Sequence, residues 1–195
     1  MQLKNLVRFF SSPPTSGPRS TFVIRLMAGG VFFSEGLLKF AYVNQGVGRF
    51  TKLGMPMPGV LAPAIAVLEI VGGLLLASGL GTRLISVPFI AEMVVAILST
   101  KIALYFGTSP LPKPAAPPFS GWWAVLHESR SDYAQLLCCI YLLISGPGPW
   151  SLDAASQNAT TVAGFVGSGS FTRAAPRQRR SNASSDQGPG PLMSR

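Results

Sequence analysis

Four long apolar segments dominate this 195-residue chain and limit what it can fold into. Three of them, at about 21–42, 60–80 and 84–106, are long enough to cross roughly 30 Å of hydrocarbon as helices. A fourth, at about 124–145, reaches that length only with the aromatic-rich stretch before residue 131. Backbone polar groups in lipid must bond within their own segment, which favours helices over open strands. The pattern predicts an all-α integral membrane protein, a four-helix bundle.

Composition supports this fold class and bears on the expected partners. Apolar residues make up 48% of the chain and charged residues 12%, whereas about a quarter of a soluble domain is charged. The net charge of +9 does not indicate nucleic acid, because the bases lie in the tails or flank apolar segments. We therefore expect the lipid bilayer as a partner and no nucleic acid. The adjacent Cys138 and Cys139 are interpreted as small apolar residues, since a disulfide between neighbours would be strained.

The chain divides into an N-terminal tail (1–20), a transmembrane domain (21–153) and a basic C-terminal tail (154–195). The C-terminal tail lacks apolar periodicity and is predicted to be disordered. Basic residues in both tails favour the cytoplasmic side for both termini. Aromatic residues agree, with Trp150 at the inner interface and four residues at the outer one: Tyr42, Tyr105, Trp122 and Trp123. The expected location is the cell (inner) membrane; the basic, acid-free N-terminus leaves an organelle membrane open.

Charged residues recur inside the first apolar segment. At 100° per residue, one stripe of the helix carries two glycines, an aromatic residue and two bases, with Glu35 at its edge: Arg25, Gly29, Phe32, Gly36 and Lys39. Glycines on such a stripe let a neighbouring helix approach closely. Glu35 and Lys39 are spaced as a favourable i, i+4 pair, and pairing lowers the cost of charge in lipid, at least about 2.5–3.5 kcal/mol when uncompensated.

Two further carboxylates, Glu69 and Glu92, lie inside the second and third segments. At about 1.5 Å per residue, they are expected within about 10 Å of Glu35 in depth. Ionisable residues inside a membrane are functional candidates by default, so all three carboxylates are candidates for catalysis or proton exchange. Arg25, Lys39 and Glu69 are expected to form a polar pocket that binds a cofactor. The alternative is that these charges only set helix register.

Glu128 would add a fourth carboxylate, from the fourth segment, to Glu35, Glu69 and Glu92, a set that could in principle bind two metal ions. Carboxylate-bridged di-metal bundles also use Glu-x-x-His pairs, and this chain has one histidine, His127. No metal site is predicted.

Four pieces of the sequence together resemble the DoxX family. They are the stripe of the first segment, "GMPMPG" at 54–59, "EIVGGLLLASGLGTR" at 69–83 and "GPGPWSLD" at 146–153. They occur in the family's order and cover about residues 20–153, although Glu92 lies outside the general pattern. The resemblance implies a four-helix membrane protein, related to subunits associated with terminal oxidases and thiosulfate:quinone oxidoreductases.

The resemblance leads to two functional hypotheses. In the first, the chain is an accessory subunit of a membrane redox system, linked to quinone, sulfur chemistry or oxidative stress. Quinone is then the candidate cofactor, and other membrane or peripheral redox subunits are the candidate partners. In the second, the chain is a non-enzymatic scaffold or assembly factor, or a small carrier of protons or solutes. Whether the chain is itself an enzyme is left open.

Overall fold

The computed structural model describes residues 5, 7, 9, 10 and 14–159 of the chain, and within them every regular element is a helix. Five helices are named here: α1 (Thr21–Ala41), α2 (Val47–Lys52), α3 (Pro58–Ser78), α4 (Thr82–Tyr105) and α5 (Gly121–Ser145). The four long helices coincide with the four apolar segments. Helices α1, α3 and α4 are long and apolar enough to cross a membrane, while α5 does not meet the same measure of apolarity.

The start of the C-terminal tail, which the sequence predicts to be disordered from residue 154, is helical in the structure. Residues 152–159 form a short helix, so regular structure continues past the expected boundary at 153. The Ser151 hydroxyl accepts a hydrogen bond from the Ala154 amide at 3.1 Å, which satisfies one of the free amides at the start of this helix. The remainder of the tail, from residue 160, lies outside the described residues, as does most of 1–13.

A three-residue turn joins α3 to α4. Gly79 and Gly81 have φ of 74° and 60°, in the left-handed region that glycine adopts without steric penalty. The turn makes α3 and α4 antiparallel and defines one end of the bundle, called here the turn end. The opposite end, where the connections 42–57 and 106–120 lie, is called the loop end.

Glycines bring α1 and α3 into close contact, as the sequence predicts. A Cβ atom added to Gly29 would lie 2.5 Å from the carbonyl oxygen of Gly73, and one added to Gly36 would lie 2.8 Å from that of Ala66. No larger residue fits at either place without moving the helices apart. Helices α4 and α5 form a second tight pair, and the two pairs pack more loosely on each other.

The two pairs meet in an apolar core at mid-depth. Phe32 of α1 and Phe89 of α4 stack with ring centroids 3.7 Å apart and planes 3° from parallel. Ala28, Leu76 and Leu142 are fully buried around them. Both cysteines are free, with Cys139 buried in this core, as expected for apolar fillers.

The closing "GPGPWSLD" segment ties the turn end together. The Asp153 carboxylate accepts hydrogen bonds from the amides of Gly81 at 3.0 Å and Thr82 at 3.4 Å, at the start of α4. Its own amide donates to the Gly79 carbonyl at 3.1 Å. Arg83 donates to the Ile144 carbonyl at 2.7 Å, near the end of α5. The segment therefore holds the α3–α4 turn against the C-terminus of α5.

Candidate functional site

A cavity of about 670 Å³ lies between the two helix pairs, in the half of the bundle towards the loop end. All five helices contribute to its wall. The wall carries more charge than is usual inside a membrane domain: the acids are Glu35, Glu69, Glu92, Glu128 and Asp132, and the bases are Lys39, Arg49 and Lys101. Apolar side chains fill the space between them, among them Leu61, Ile65 and Leu68 of α3. Its volume is within the range of small-molecule sites.

Lys39 forms an ion pair with Glu69 across the α1–α3 contact. The Lys39 Nζ atom lies 2.5 Å from Oε2 and 2.6 Å from Oε1 of Glu69. The Glu69 side chain is only 2% exposed and that of Lys39 13%, so the pair is almost removed from solvent. The glycine contacts that draw α1 towards α3 place the two charges together. The pair therefore joins the helices at one wall of the cavity.

This pairing corrects one prediction. The sequence predicts that Lys39 pairs with Glu35 of the same helix, but in the structure Lys39 forms its ion pair with Glu69 of α3. Glu69 is buried and needs a cation, because an unpaired buried carboxylate is strongly destabilising. Glu35, at the edge of the stripe, is exposed and lines the cavity, and it makes no ion pair within the described residues.

Glu92 of α4 completes a group of three charged side chains. Its carboxyl group lies close to the Glu69 carboxyl group and lines the same cavity. The Oε2 atom of Glu92 is buried and has no hydrogen-bond partner among the residues of the described chain. Lys39, Glu69 and Glu92, called here the charged triad, therefore place one amine and two carboxyl groups on the cavity wall, with one carboxyl oxygen that has no partner within the described residues.

Arg25 does not line this cavity, so the structure does not bring it together with Lys39 and Glu69. The two residues lie about 21 Å apart along α1 at about 1.5 Å per residue. Arg25 is buried at the turn end, where its guanidinium donates to the carbonyls of Trp150 and, at 3.4 Å, Ala77. These carbonyls sit near the C-terminus of α3 and in the closing segment. Arg25 therefore serves the packing of the turn end.

Sequence reasoning included Glu128 of α5 but missed Asp132 and Gln135 of the same helix. Asp132 forms an ion pair with Lys101 of α4, with Nζ and Oδ2 3.1 Å apart. Gln135 is 5% exposed and donates from Nε2 to the Ala28 carbonyl at 3.1 Å, which ties α5 to α1. Glu128, Asp132 and Gln135 recur at i, i+4 and i+7, which places them on one face of a helix. That spacing was the signal that could have identified the polar face.

The cavity is closed towards the turn end. Phe32 belongs to its wall, and the stacked Phe32–Phe89 pair separates it from the fully buried Leu76 and Leu142. Within the described chain, no group of three His, Cys, Asp or Glu side chains is placed to hold a metal ion. The site is therefore a polar cavity with an apolar floor on the side of the turn end.

Comparison with known proteins agrees with the helical membrane architecture. The family model described as DoxX matches residues 20–102. The uncharacterized membrane protein Rv3486 of Mycobacterium tuberculosis is 43% identical over 150 residues, which cover 76% of this chain and 88% of that protein. The putative oxidoreductase CatD of Bacillus subtilis is 30% identical over 133 residues, which cover 68% of this chain and 84% of that protein. No solved structure matches the chain. The chain is an integral membrane protein and belongs to the DoxX family.

Proposed function

We propose that this protein is a membrane-embedded accessory subunit of a redox system, in which the cavity binds a quinone head group or a similarly small redox compound. The observation that carries the proposal is the charged triad, which places a buried lysine–glutamate pair and a second carboxyl group with an unpartnered oxygen inside a cavity of apolar helices. Similarity to the putative oxidoreductase CatD supports the redox assignment.

The residues of the cavity fit a quinone head group. Its carbonyl oxygens accept hydrogen bonds, which the Lys39 ammonium group and a protonated carboxyl group can donate. The Glu92 Oε2 atom has no hydrogen-bond partner within the described residues, and a hydroxyl group of a ligand would donate a hydrogen bond to it. A bound quinone would accept two electrons and two protons from outside the chain. Lys39 would orient the head group, and the Glu69–Glu92 pair would hold a proton beside it.

The proposal includes four membrane spans, with both termini in the cytoplasm and the loop end on the outer side of the cell (inner) membrane. Helix α5 has 25 residues and packs along α4. Its polar residues Glu128, Asp132 and Gln135 line the cavity, so these side chains have polar surroundings in place of lipid. Their placement explains why a spanning α5 would have a less apolar sequence than the other helices. The electron donor would be a separate membrane or peripheral redox subunit.

The test is to purify the protein from its own membranes and to measure bound quinone and electron transfer to decylubiquinone in those membranes. Glu92→Gln and Lys39→Gln are expected to lower quinone occupancy and turnover. Lys52→Gln is the matched control, because Lys52 is exposed at the same end of the bundle and lies outside the cavity. Absence of quinone from the protein, together with unchanged electron transfer in both cavity variants, would refute the proposal.

A second candidate is a non-enzymatic scaffold, favoured by the Lys39–Glu69 pair because it joins α1 to α3. Glu69→Gln separates the two candidates. If less of the redox complex assembles but each assembled complex turns over normally, the protein acts as a scaffold. If assembly is normal and turnover falls, the redox role is correct.

A further inference from the structure

The wall of the cavity includes side chains that are also exposed on the outside of the bundle. There are seven of them: Val31, Glu35 and Leu38 on α1, Ala91 and Val95 on α4, Ser131 on α5, and Gln45 in the connection before α2. The exposed fractions of Val31, Leu38 and Val95 are 38%, 38% and 52%. A side chain that lines a cavity and is exposed outside marks an opening in the wall, and the five such residues of α1 and α4 are called the rim.

The depth of the rim decides what surrounds the openings. Val31 and Ala91 lie near the middle of α1 and α4, which are both apolar enough to cross a membrane. Their exposed neighbours are apolar as well, including Leu37 and Val94. At this depth an opening faces hydrocarbon rather than water. Towards the turn end, the Phe32–Phe89 stack closes the cavity.

The polar groups inside the cavity indicate the kind of molecule that would enter. The charged triad lies behind the rim, with one buried carboxyl oxygen that lacks a partner within the described chain. Glu35 sits on the rim itself without an ion pair among those residues, although a lone charge at this depth is costly. A polar head group in the cavity would donate hydrogen bonds to the unpartnered oxygen of Glu92 and to the carboxyl group of Glu35. A hydrocarbon tail would fill the gap between the rim side chains.

We propose that the cavity is entered sideways from the bilayer through the rim, and that its ligand is a membrane-dissolved amphiphile whose head reaches the charged triad while its tail stays in lipid. The inference rests on the proposed function only for the use of the same cavity. It names the route and the chemical class, and it holds for amphiphiles that carry no redox group.

The test places a nitroxide spin label on a cysteine at Ser99, inside the cavity, in full-length protein with Cys138 and Cys139 changed to alanine, reconstituted in liposomes. A second label at Ala96 serves if the first variant does not fold. Collisions with oxygen, which concentrates in lipid, and with a water-soluble nickel chelate are measured by power saturation. We expect oxygen collisions to exceed chelate collisions. Dodecanol should reduce the oxygen collisions by filling the cavity, whereas glycerol should not.

Two pairs of adjacent substitutions test the rim. Leu38→Trp and Val95→Trp should obstruct the openings and lower the oxygen collisions to the level of a buried position. Leu37→Trp and Val94→Trp change neighbours that are also exposed, at 47% and 40%, but do not line the cavity, so they should have no effect. Higher collisions with the chelate would overturn the inference in favour of an aqueous vestibule. Low collisions with both reagents would overturn it in favour of openings covered by a protein partner or a second copy. The assay contains neither quinone nor electron donor, so its result is independent of the proposed function.

Discussion

Removing one charge of the Lys39–Glu69 pair should destabilise the protein by an amount that depends on which charge is removed. The side chains are 13% and 2% exposed, so water cannot replace the lost partner. Breaking a buried ion pair from one side costs about 3–5 kcal/mol, because the remaining charge is left without compensation. Replacing both partners by apolar residues of similar size is often neutral or stabilising.

The third member of the triad makes the two single changes unequal. In Glu69→Leu, Lys39 still faces the Glu92 carboxylate, so we expect a loss near the lower end, about 3 kcal/mol. In Lys39→Met, two carboxyl groups remain close together without their cation, so we expect about 5 kcal/mol. The double variant Lys39→Met/Glu69→Leu should lose much less than the sum of the two.

The assay is reversible unfolding of the full chain in mixed micelles, followed by helical circular dichroism, with the four proteins compared as a double-mutant cycle. Lys52→Met is the control for loss of a lysine that lies outside the cavity, and it should change stability little. Additive effects of Lys39→Met and Glu69→Leu would show that the pair contributes no coupling. A larger loss for Glu69→Leu than for Lys39→Met would refute the role given to Glu92.

Three further changes test the packing. Gly29→Val should separate α1 from α3 and prevent a stable fold, because its Cβ would lie 2.5 Å from the Gly73 carbonyl oxygen, whereas Gly30→Val meets open space and should leave the unfolding transition unchanged. Asp153→Ala should lower the free energy of unfolding by about 0.5–2 kcal/mol, as loss of an N-cap side chain does, because the Gly81 and Thr82 amides at the start of α4 would lose their acceptor; an unchanged transition would contradict the importance of this contact. Phe89→Ala should cost about 3–5 kcal/mol in the same assay, and a loss below that of an exposed substitution would show that the core does not depend on this ring.

The helices of this protein are encoded locally. Their positions follow from runs of apolar residues, and their ends follow from glycines and prolines such as those around Gly79 and before α3. Both signals act over a few residues, so they can be interpreted without knowing which helices are neighbours. The close approach of α1 to another helix was also evident, because Gly29 and Gly36 share a stripe.

The separation of Arg25 and Lys39 can be predicted from the sequence, because 14 residues of one helix correspond to about 21 Å. What the sequence does not show is the partners of Arg25, whose guanidinium donates to the carbonyls of Ala77 and Trp150 at the turn end.

What the sequence by itself determined is the class of molecule: apolar helices that carry buried charge and close contacts between glycines. Only the tertiary structure decided that Lys39 pairs with Glu69 rather than with Glu35, and that α5 adds Asp132 and Gln135 to the same region. The physical reason is that an ion pair between helices depends on their rotation, depth and separation, which are set by packing along their whole length. A cavity likewise exists only where two helix pairs fail to touch, and no residue encodes that space alone.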